Sequence, residues 1–345
     1  MSQLTRFIML PAIFGALLGI GIILFDSGVD SRPGYADAVS VASPAVVNIH
    51  TRTVRRSNPL CRFYRNLCER LSNNSQIQRA LGSGVIMMSS GYIITNEHVV
   101  KGADEILVMF ANGQIANATV IGSDPHTDLS VIKVEADNLP VIPTNSDDTH
   151  VGDIALAIGN PFGLGHSVSQ GIISAFSRAA ITDDRPYDDF IQTDAAISPG
   201  NSGGALVDYK GQLIGINTMI VSQSGGSEGI GFAIPTRIAL NVLQQIITHG
   251  RVIRGWLGVE LGPNFADPDT GGLIVGRVTP GGPAYQAGIR PGDVLLSINQ
   301  ISAVLPAEIT NEIETTTPGD PLQLEVMRGN QRFRATAVAG ELPPL

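Results

Sequence analysis

Between Ala36 and Ile234 the chain is cut into short runs rich in valine and isoleucine, and this pattern constrains the fold more than any other feature. The runs include Val46-Val47-Asn48-Ile49, Tyr92-Ile93-Ile94-Thr95, Ile106-Leu107-Val108-Met109 and Leu129-Ser130-Val131-Ile132. Ile154-Ala155-Leu156-Ala157-Ile158 and Leu213-Ile214-Gly215-Ile216 continue them. Each is too short to bury one face of a helix, and β-branched side chains pack well on a pleated surface. Turn signals such as Ser90-Gly91, Asn112-Gly113 and Lys210-Gly211 stand between them. Many short strands at this spacing predict a barrel or a sandwich, so this part of the chain is mainly β.

A helix comes next. Pro235 stands at its start, where a missing N–H costs nothing, and Gly250 stands at its end. Between them Ile238, Leu240, Val242, Leu243, Ile246 and Ile247 recur at near-helical spacing. After Arg254 a second module begins with Gly255-Trp256-Leu257-Gly258-Val259. A strand-like Leu273-Ile274-Val275 and the run Val294-Leu295-Leu296-Ser297-Ile298 come after it, then a predicted helix over Pro306–Thr315 and strands over Leu322–Met327 and Gln331–Val338. Residues 253–342 suit one compact α+β domain. The Gly-Ile-x-x-Gly-Asp pattern at Gly288–Asp293 occurs once, so there is one such module and no internal repeat.

The first 28 residues read as a cytoplasmic tip and an anchor, leaving 29–252 for the β-rich domain. Phe7–Phe25 is an uncharged, largely apolar run. As a helix it would extend roughly 28 Å, against a hydrocarbon thickness of about 30 Å. Arg6 precedes it and Asp26 and Asp30 come after it, which places residues 1–6 in the cytoplasm and the bulk outside, attached by a single pass. The alternative is a cleaved leader, for which Ala36-Asp37-Ala38 has the small-x-small form but stands far beyond the apolar run. Cys61 and Cys68 would meet an oxidising compartment, where they either pair or stay as two free thiols. Two cysteines without nearby histidines make no zinc site, and nothing calls for a metal or another cofactor. With a net charge of −9 and no clustered Lys or Arg, the chain is not expected to bind nucleic acid.

The chemistry is concentrated in three segments. Ser198-Pro199-Gly200-Asn201-Ser202-Gly203-Gly204 places a serine among glycines. A tight loop of this kind exposes a hydroxyl and lets backbone N–H groups converge on a developing oxyanion, the natural pair being the amides of Gly200 and Ser202. It also describes an ordinary glycine-rich turn. A serine hydroxyl needs a base, and the base needs an orienting carboxylate. Of six histidines, His98 ends a strand-like run and precedes a break, whereas His50 comes after a strand with no chemical companion. Asp128 opens Asp128-Leu129-Ser130-Val131-Ile132, and an Asp at the mouth of a buried strand must find a donor such as an imidazole N–H.

Together these segments resemble the trypsin-like serine peptidases, whose chain order His, Asp, Ser they share. Residues 36–340 more closely resemble the HtrA family. The stretches that carry the likeness are Gly82-Ser83-Gly84-Val85-Ile86, Thr95-Asn96-Glu97-His98-Val99-Val100, Asp128–Lys133, Ala157–Gly163, Gln170–Ser174, Gln192–Ala195, Gly200–Gly204 and Gly229–Pro235. The resemblance implies two six-stranded barrels with His98, Asp128 and Ser202 between them, one PDZ domain after them, and assembly as a homotrimer. An anchor with a single PDZ module resembles the regulatory branch of the family, which faces the periplasm. That branch cuts the periplasmic part of a membrane-bound anti-sigma factor in the envelope stress response. Its activators are C-terminal peptides of misfolded outer-membrane proteins. The Cys61–Cys68 loop instead resembles the soluble, general quality-control branch.

A PDZ domain adds an extended peptide as a strand and captures its terminal carboxylate in a nest of backbone N–H groups. By resemblance, Trp256, Leu257, Gly258 and Val259 form that loop and the start of that strand. Arg178 falls in the polar segment Ser174–Phe190, which by resemblance senses the PDZ state and completes the oxyanion hole; a solvated surface arginine is the rival reading. The pocket for the substrate side chain is expected along 217–230, favouring small aliphatic residues.

Overall fold

A computed structural model describes residues 34–55, 76–145, 149–160, 166–177, 190–220 and 229–343. Phe7–Phe25, Cys61, Cys68 and Arg178 lie outside the described residues. Among those described, no helix is long and apolar enough to cross a membrane.

The strand-like runs become two closed barrels. The first is built from β1 (Val46–Arg55), β2 (Gln76–Ile86), β3 (Tyr92–Asn96), β4 (Glu105–Met109), β5 (Ile115–Asp124) and β6 (Leu129–Val134), in the order β1-β2-β3-β6-β5-β4. The second uses β7 (Ile154–Gly159), β8 (Ser167–Ser177), β9 (Phe190–Thr193), β10 (Ala205–Val207), β11 (Leu213–Ile220) and β12 (Gly231–Pro235), in the order β10-β11-β12-β9-β8-β7. Closure pairs β1 with β4 and β7 with β10, so neither sheet keeps a free edge. Val47, Ile49, Ile93, Val108 and Ile132 share one buried face of the first barrel's strands, and Ala155, Ala157, Ile173, Leu206 and Ile214 form the core of the second. His50 does not come after β1 but sits within it, opposite Leu81 and Leu107.

A short helix α1 (Ala36–Ala42) precedes the barrels, and the four-residue α2 (Glu97–Val100) comes directly after β3. After β12, α3 (Thr236–His249) is capped by Gly250 in the left-handed conformation, its N–H on Ile246 O at 2.8 Å. Ile238, Ala239, Val242, Leu243 and Ile246 bury one stripe. Leu240 departs from the expectation at 40% exposed, because a residue two places from Ile238 turns about 200° away from it.

The second module comprises β13 (Gly255–Trp256), β14 (Val259–Ala266), β15 (Leu273–Val278), α4 (Pro283–Gln286), β16 (Val294–Ile298), β17 (Ile301–Ser302), α5 (Pro306–Thr315), β18 (Pro321–Arg328), β19 (Gln331–Val338) and β20 (Gly340–Glu341). Its main sheet runs β14-β15-β16-β18-β19, with β17 on β16, and β13 pairs with β20 apart from it. Leu257, Leu273, Val275, Leu295, Ile298 and Ile309 belong to one core, separate from the barrels.

Arg254, only 8% exposed, joins the module to the first barrel. Its guanidinium forks onto Asp124 at 2.8 and 2.6 Å, and its Nε lies 3.2 Å from Glu314 of α5. A planar donor fork matched to a carboxylate is the geometry in which a buried charge is held best.

Candidate active site

Strand register brings the first two residues together. β3 pairs with β6 so that Asn96 faces Leu129, which sets the start of α2 beside the turn that leads into β6. Glu97 N and Asn96 Nδ2 both donate to Asp128 O at 3.0 Å, tying α2 to this corner. Asp128 takes a left-handed φ of 56°, which aspartate tolerates better than most residues. Its carboxylate turns back onto His98. Nδ1 of His98 lies 2.7 Å from Asp128 Oδ2 and 3.0 Å from Oδ1, and the His98 backbone N–H donates to Oδ1 at 3.1 Å. The Asp128 side chain is 5% exposed and that of His98 40%, so the acid is buried behind an imidazole that faces solvent.

The second barrel supplies the rest. Thr218 in β11 donates its hydroxyl to Asp128 Oδ2 at 2.9 Å, and its carbonyl accepts the Ser202 hydroxyl at 3.0 Å. One threonine thus anchors both the carboxylate and the serine. In this arrangement Ser202 Oγ points at Thr218 O rather than at the His98 ring, and the two staggered positions differ by about 120° at χ1. Thr218 was missed in the sequence. It falls beyond the strand-like run Leu213–Ile216, in the 217–230 segment expected to shape the pocket, and only the three-dimensional crossing of the barrels brings it to Asp128.

The serine loop is shaped by backbone rather than side chains. Gly200 has φ 101° and Gly203 φ 83°. A Cβ on Gly203 would come within 2.2 Å of Ser83 O, so only glycine fits there. Gly203 N donates to Asn217 O at 2.8 Å and Gly204 N to Asn201 O at 2.9 Å. Among the described residues, the amides of Gly200 and Ser202 donate to nothing within the chain. Two unpaired donors beside an activatable hydroxyl can stabilise a developing oxyanion. Gly231 in β12 packs directly on the buried Ile197, where an added Cβ would meet Cδ1 at 2.8 Å. His126 and His166 lie apart from this centre. Burial lowers both pKa values, with Arg254 nearby lowering that of His126 further.

In the second module, Leu257 is buried, and its carbonyl accepts Ala284 N at 2.9 Å. Its side chain belongs to the core, and only its backbone is left to the candidate carboxylate loop. Gly258, at φ 78°, passes its carbonyl to Thr279 N. Among the described residues the amides of Leu257 and Gly258 donate to nothing within the chain. Val259 then opens β14, which has a partner on one side alone in the main sheet. Gly255 packs against the end of α5, where a Cβ would come 2.1 Å from Ile313 O. A nest of unpaired amides leading into an open strand edge can take an extended chain with a terminal carboxylate.

Comparison with known proteins matches this division. A trypsin-like peptidase domain is recognised over residues 82–216 and a PDZ domain over 255–337. The chain is 41% identical over 340 residues to the serine endoprotease DegS of Haemophilus influenzae, covering 95% of this chain and 96% of that one. It is 39% identical over 373 residues to a probable periplasmic serine endoprotease, DegP-like, of Halomonas elongata, covering 99% of this chain and 77% of that one. The solved structure of the HtrA-type protease AlgW with tripeptide superposes with a TM-score of 0.79 at 46% identity, over 91% of this chain and 99% of that one. The chain belongs to the HtrA family of serine endoproteases, with a trypsin-like peptidase domain followed by a PDZ domain.

Proposed function

We propose that this endoprotease is an anchored, peptide-regulated enzyme whose nucleophile is Ser202, whose base is His98 and whose orienting acid is Asp128. The observation that carries the chemistry is the hydrogen-bonded run from His98 through Asp128 and Thr218 to Ser202. Asp128 holds the proton on Nδ1, which leaves Nε2 free to accept. A turn of χ1 moves the Ser202 hydroxyl from Thr218 O to Nε2. Ser202 Oγ attacks the scissile carbonyl as its proton passes to His98, the amides of Gly200 and Ser202 hold the oxyanion, and His98 returns the proton to the leaving amine. Water then repeats the sequence to release the acyl group. The substrate side-chain pocket along 217–230 takes small aliphatic residues.

The regulatory reading places the domains at 1–28, 29–252 and 253–342, with a helix over Phe7–Phe25 holding the protease at the periplasmic face of a bacterial inner membrane. The substrate is the periplasmic part of a membrane-bound anti-sigma factor, the working unit is a homotrimer, and Arg178 reports the state of the PDZ domain. This reading is supported by similarity to DegS along nearly the whole chain and by the tripeptide in the AlgW structure. The activator is a C-terminal peptide of an outer-membrane protein, its carboxylate on the amides of Leu257 and Gly258 and its backbone along β14.

A peptide can shift the enzyme only by its differential affinity for two states, typically about 1–3 kcal/mol or roughly 5–150-fold. Hydrolysis of a reporter substrate is therefore expected to rise within that range on adding a peptide with a free C-terminus. The same peptide amidated is expected to have no effect, and a chain ending at residue 252 is expected to ignore both. Activity that is high without peptide, and equal with either form, rules out the regulatory reading in favour of a general quality-control protease.

A further inference from the structure

Ser83 is a first-barrel residue, yet its contacts lie in the loop that carries Ser202. It sits in β2 with no exposed surface. Its amide donates to Ser202 O at 2.9 Å and its hydroxyl to Gly200 O at 2.7 Å. The hydroxyl oxygen accepts Asn160 N at 3.0 Å, and the Ser83 carbonyl accepts the Thr95 hydroxyl at 2.7 Å. A single residue therefore grips two carbonyls of the serine loop, one on each side of Asn201.

The peptide group is planar, so holding a carbonyl also fixes the N–H that shares its plane. Gly200 O fixes the plane between residues 200 and 201, and Ser202 O fixes the plane between 202 and 203. The plane between 201 and 202, which carries the Ser202 N–H, is suspended between these two. The Gly200 N–H hangs from the first held plane through a residue at φ 101°. Glycine has no Cβ to restrict that torsion, so its orientation must be imposed from outside. Within the loop, Asn201 N on Ser198 O at 2.9 Å holds the plane between 200 and 201, and the Ser83 hydroxyl is the side-chain group that holds it from outside.

We propose that the Ser83 hydroxyl is a positioning residue for the oxyanion site, aligning the Gly200 and Ser202 amides from across the cleft between the barrels. This rests on the assignment of those amides as the oxyanion donors. It gives the interface between the barrels a catalytic as well as a packing role: barrel docking and oxyanion alignment share one hydroxyl. Substrate binding in the ground state does not use it, because the hydroxyl is buried and turned to the backbone.

The test uses the full-length protein, with active sites counted by irreversible fluorophosphonate labelling. Ser83→Ala is expected to lower kcat per labelled site by about 10–100-fold, between a small displacement and the loss of a whole donor. KM is expected to change by less than about threefold, as for an interaction made only in the transition state. Affinity for a peptide boronate, whose tetrahedral adduct uses the oxyanion donors, is expected to fall in step with kcat. Ser83→Cys keeps the shape with a weaker donor and is expected to lie between; it carries the same measurements if the alanine variant fails to fold. A merely structural serine would lower the melting temperature or the labelled fraction and leave kcat per site and boronate affinity unchanged, which overturns the proposal. Wild-type protein that neither labels nor binds the boronate overturns the oxyanion assignment as well, so the wild-type arm tells the two failures apart.

Discussion

Ser202→Ala is expected to lower peptide hydrolysis by about 10⁴-fold or more while the protein stays folded. The substitution removes one oxygen. In the resting arrangement that oxygen makes a single hydrogen bond among the described residues, to Thr218 O at 3.0 Å. Losing one partly exposed hydrogen bond costs about 1 kcal/mol, small against the stability of a domain. The loop does not depend on the hydroxyl, because Gly203, Gly204 and Ser83 hold it through the backbone. Chemistry and stability therefore separate. The turnover number should collapse, fluorophosphonate labelling should vanish, and the melting temperature should move by a few degrees at most. A purified variant with retained turnover would sink the assignment of Ser202 as nucleophile.

How much of the molecule is legible in the chain depends on how local the determining interaction is. The strands with continuous burial, such as Leu129–Val134 and Ile154–Gly159, stand out in the sequence because their neighbours cover both faces. β5 does not, because Ile115, Val120 and Ile121 are exposed and leave no clean alternation. α3 and α5 carry their own punctuation, Pro235 and Gly250 for one and Pro306 for the other. The strand pattern alone left barrel or sandwich open, since closure pairs β1 with β4 and β7 with β10 across intervening strands, and the family resemblance implied barrels. At the candidate site, His98, Asp128 and Ser202 were picked out by the stretches they share with the HtrA family, because the serine loop alone also describes an ordinary glycine-rich turn and a lone histidine has many roles. Thr218 and Ser83 were not singled out, because a Thr or Ser in a strand looks the same whether or not it meets a carboxylate or a loop from another barrel. The carboxylate loop was half legible. Gly258 fits its left-handed turn, but that Leu257 belongs to the core could be seen only once the module had folded around it.

Asp128→Asn is expected to be nearly as severe as loss of the nucleophile, and for a different reason. The backbone admits the change, since Asn tolerates a left-handed φ of 56° as well as Asp does. The shape is kept, so the donors around it decide the outcome. The carboxylate accepts from His98 Nδ1, the His98 amide and the Thr218 hydroxyl. An Asn side chain has one accepting oxygen and an NH₂ that only donates. If the oxygen stays with the His98 amide, the NH₂ faces Nδ1 and makes it the acceptor. The ring proton then moves to Nε2, where Ser202 needs a lone pair, and the base is blocked. A loss of about 10⁴ in kcat results from the wrong tautomer, with little change in KM. Imidazole ¹⁵N shifts of His98 should show the proton on Nδ1 in the wild type and on Nε2 in the variant. If the amide flips instead, its oxygen takes the Oδ2 place, where it faces Nδ1 and keeps the Thr218 hydroxyl, while its NH₂ meets the His98 amide N–H donor to donor. The ring then keeps its tautomer, and the loss should be far smaller, without a shift in the ¹⁵N signals. A full loss of activity with the wild-type tautomer intact would mean that Asp128 acts by charge alone, and its orienting role would be wrong.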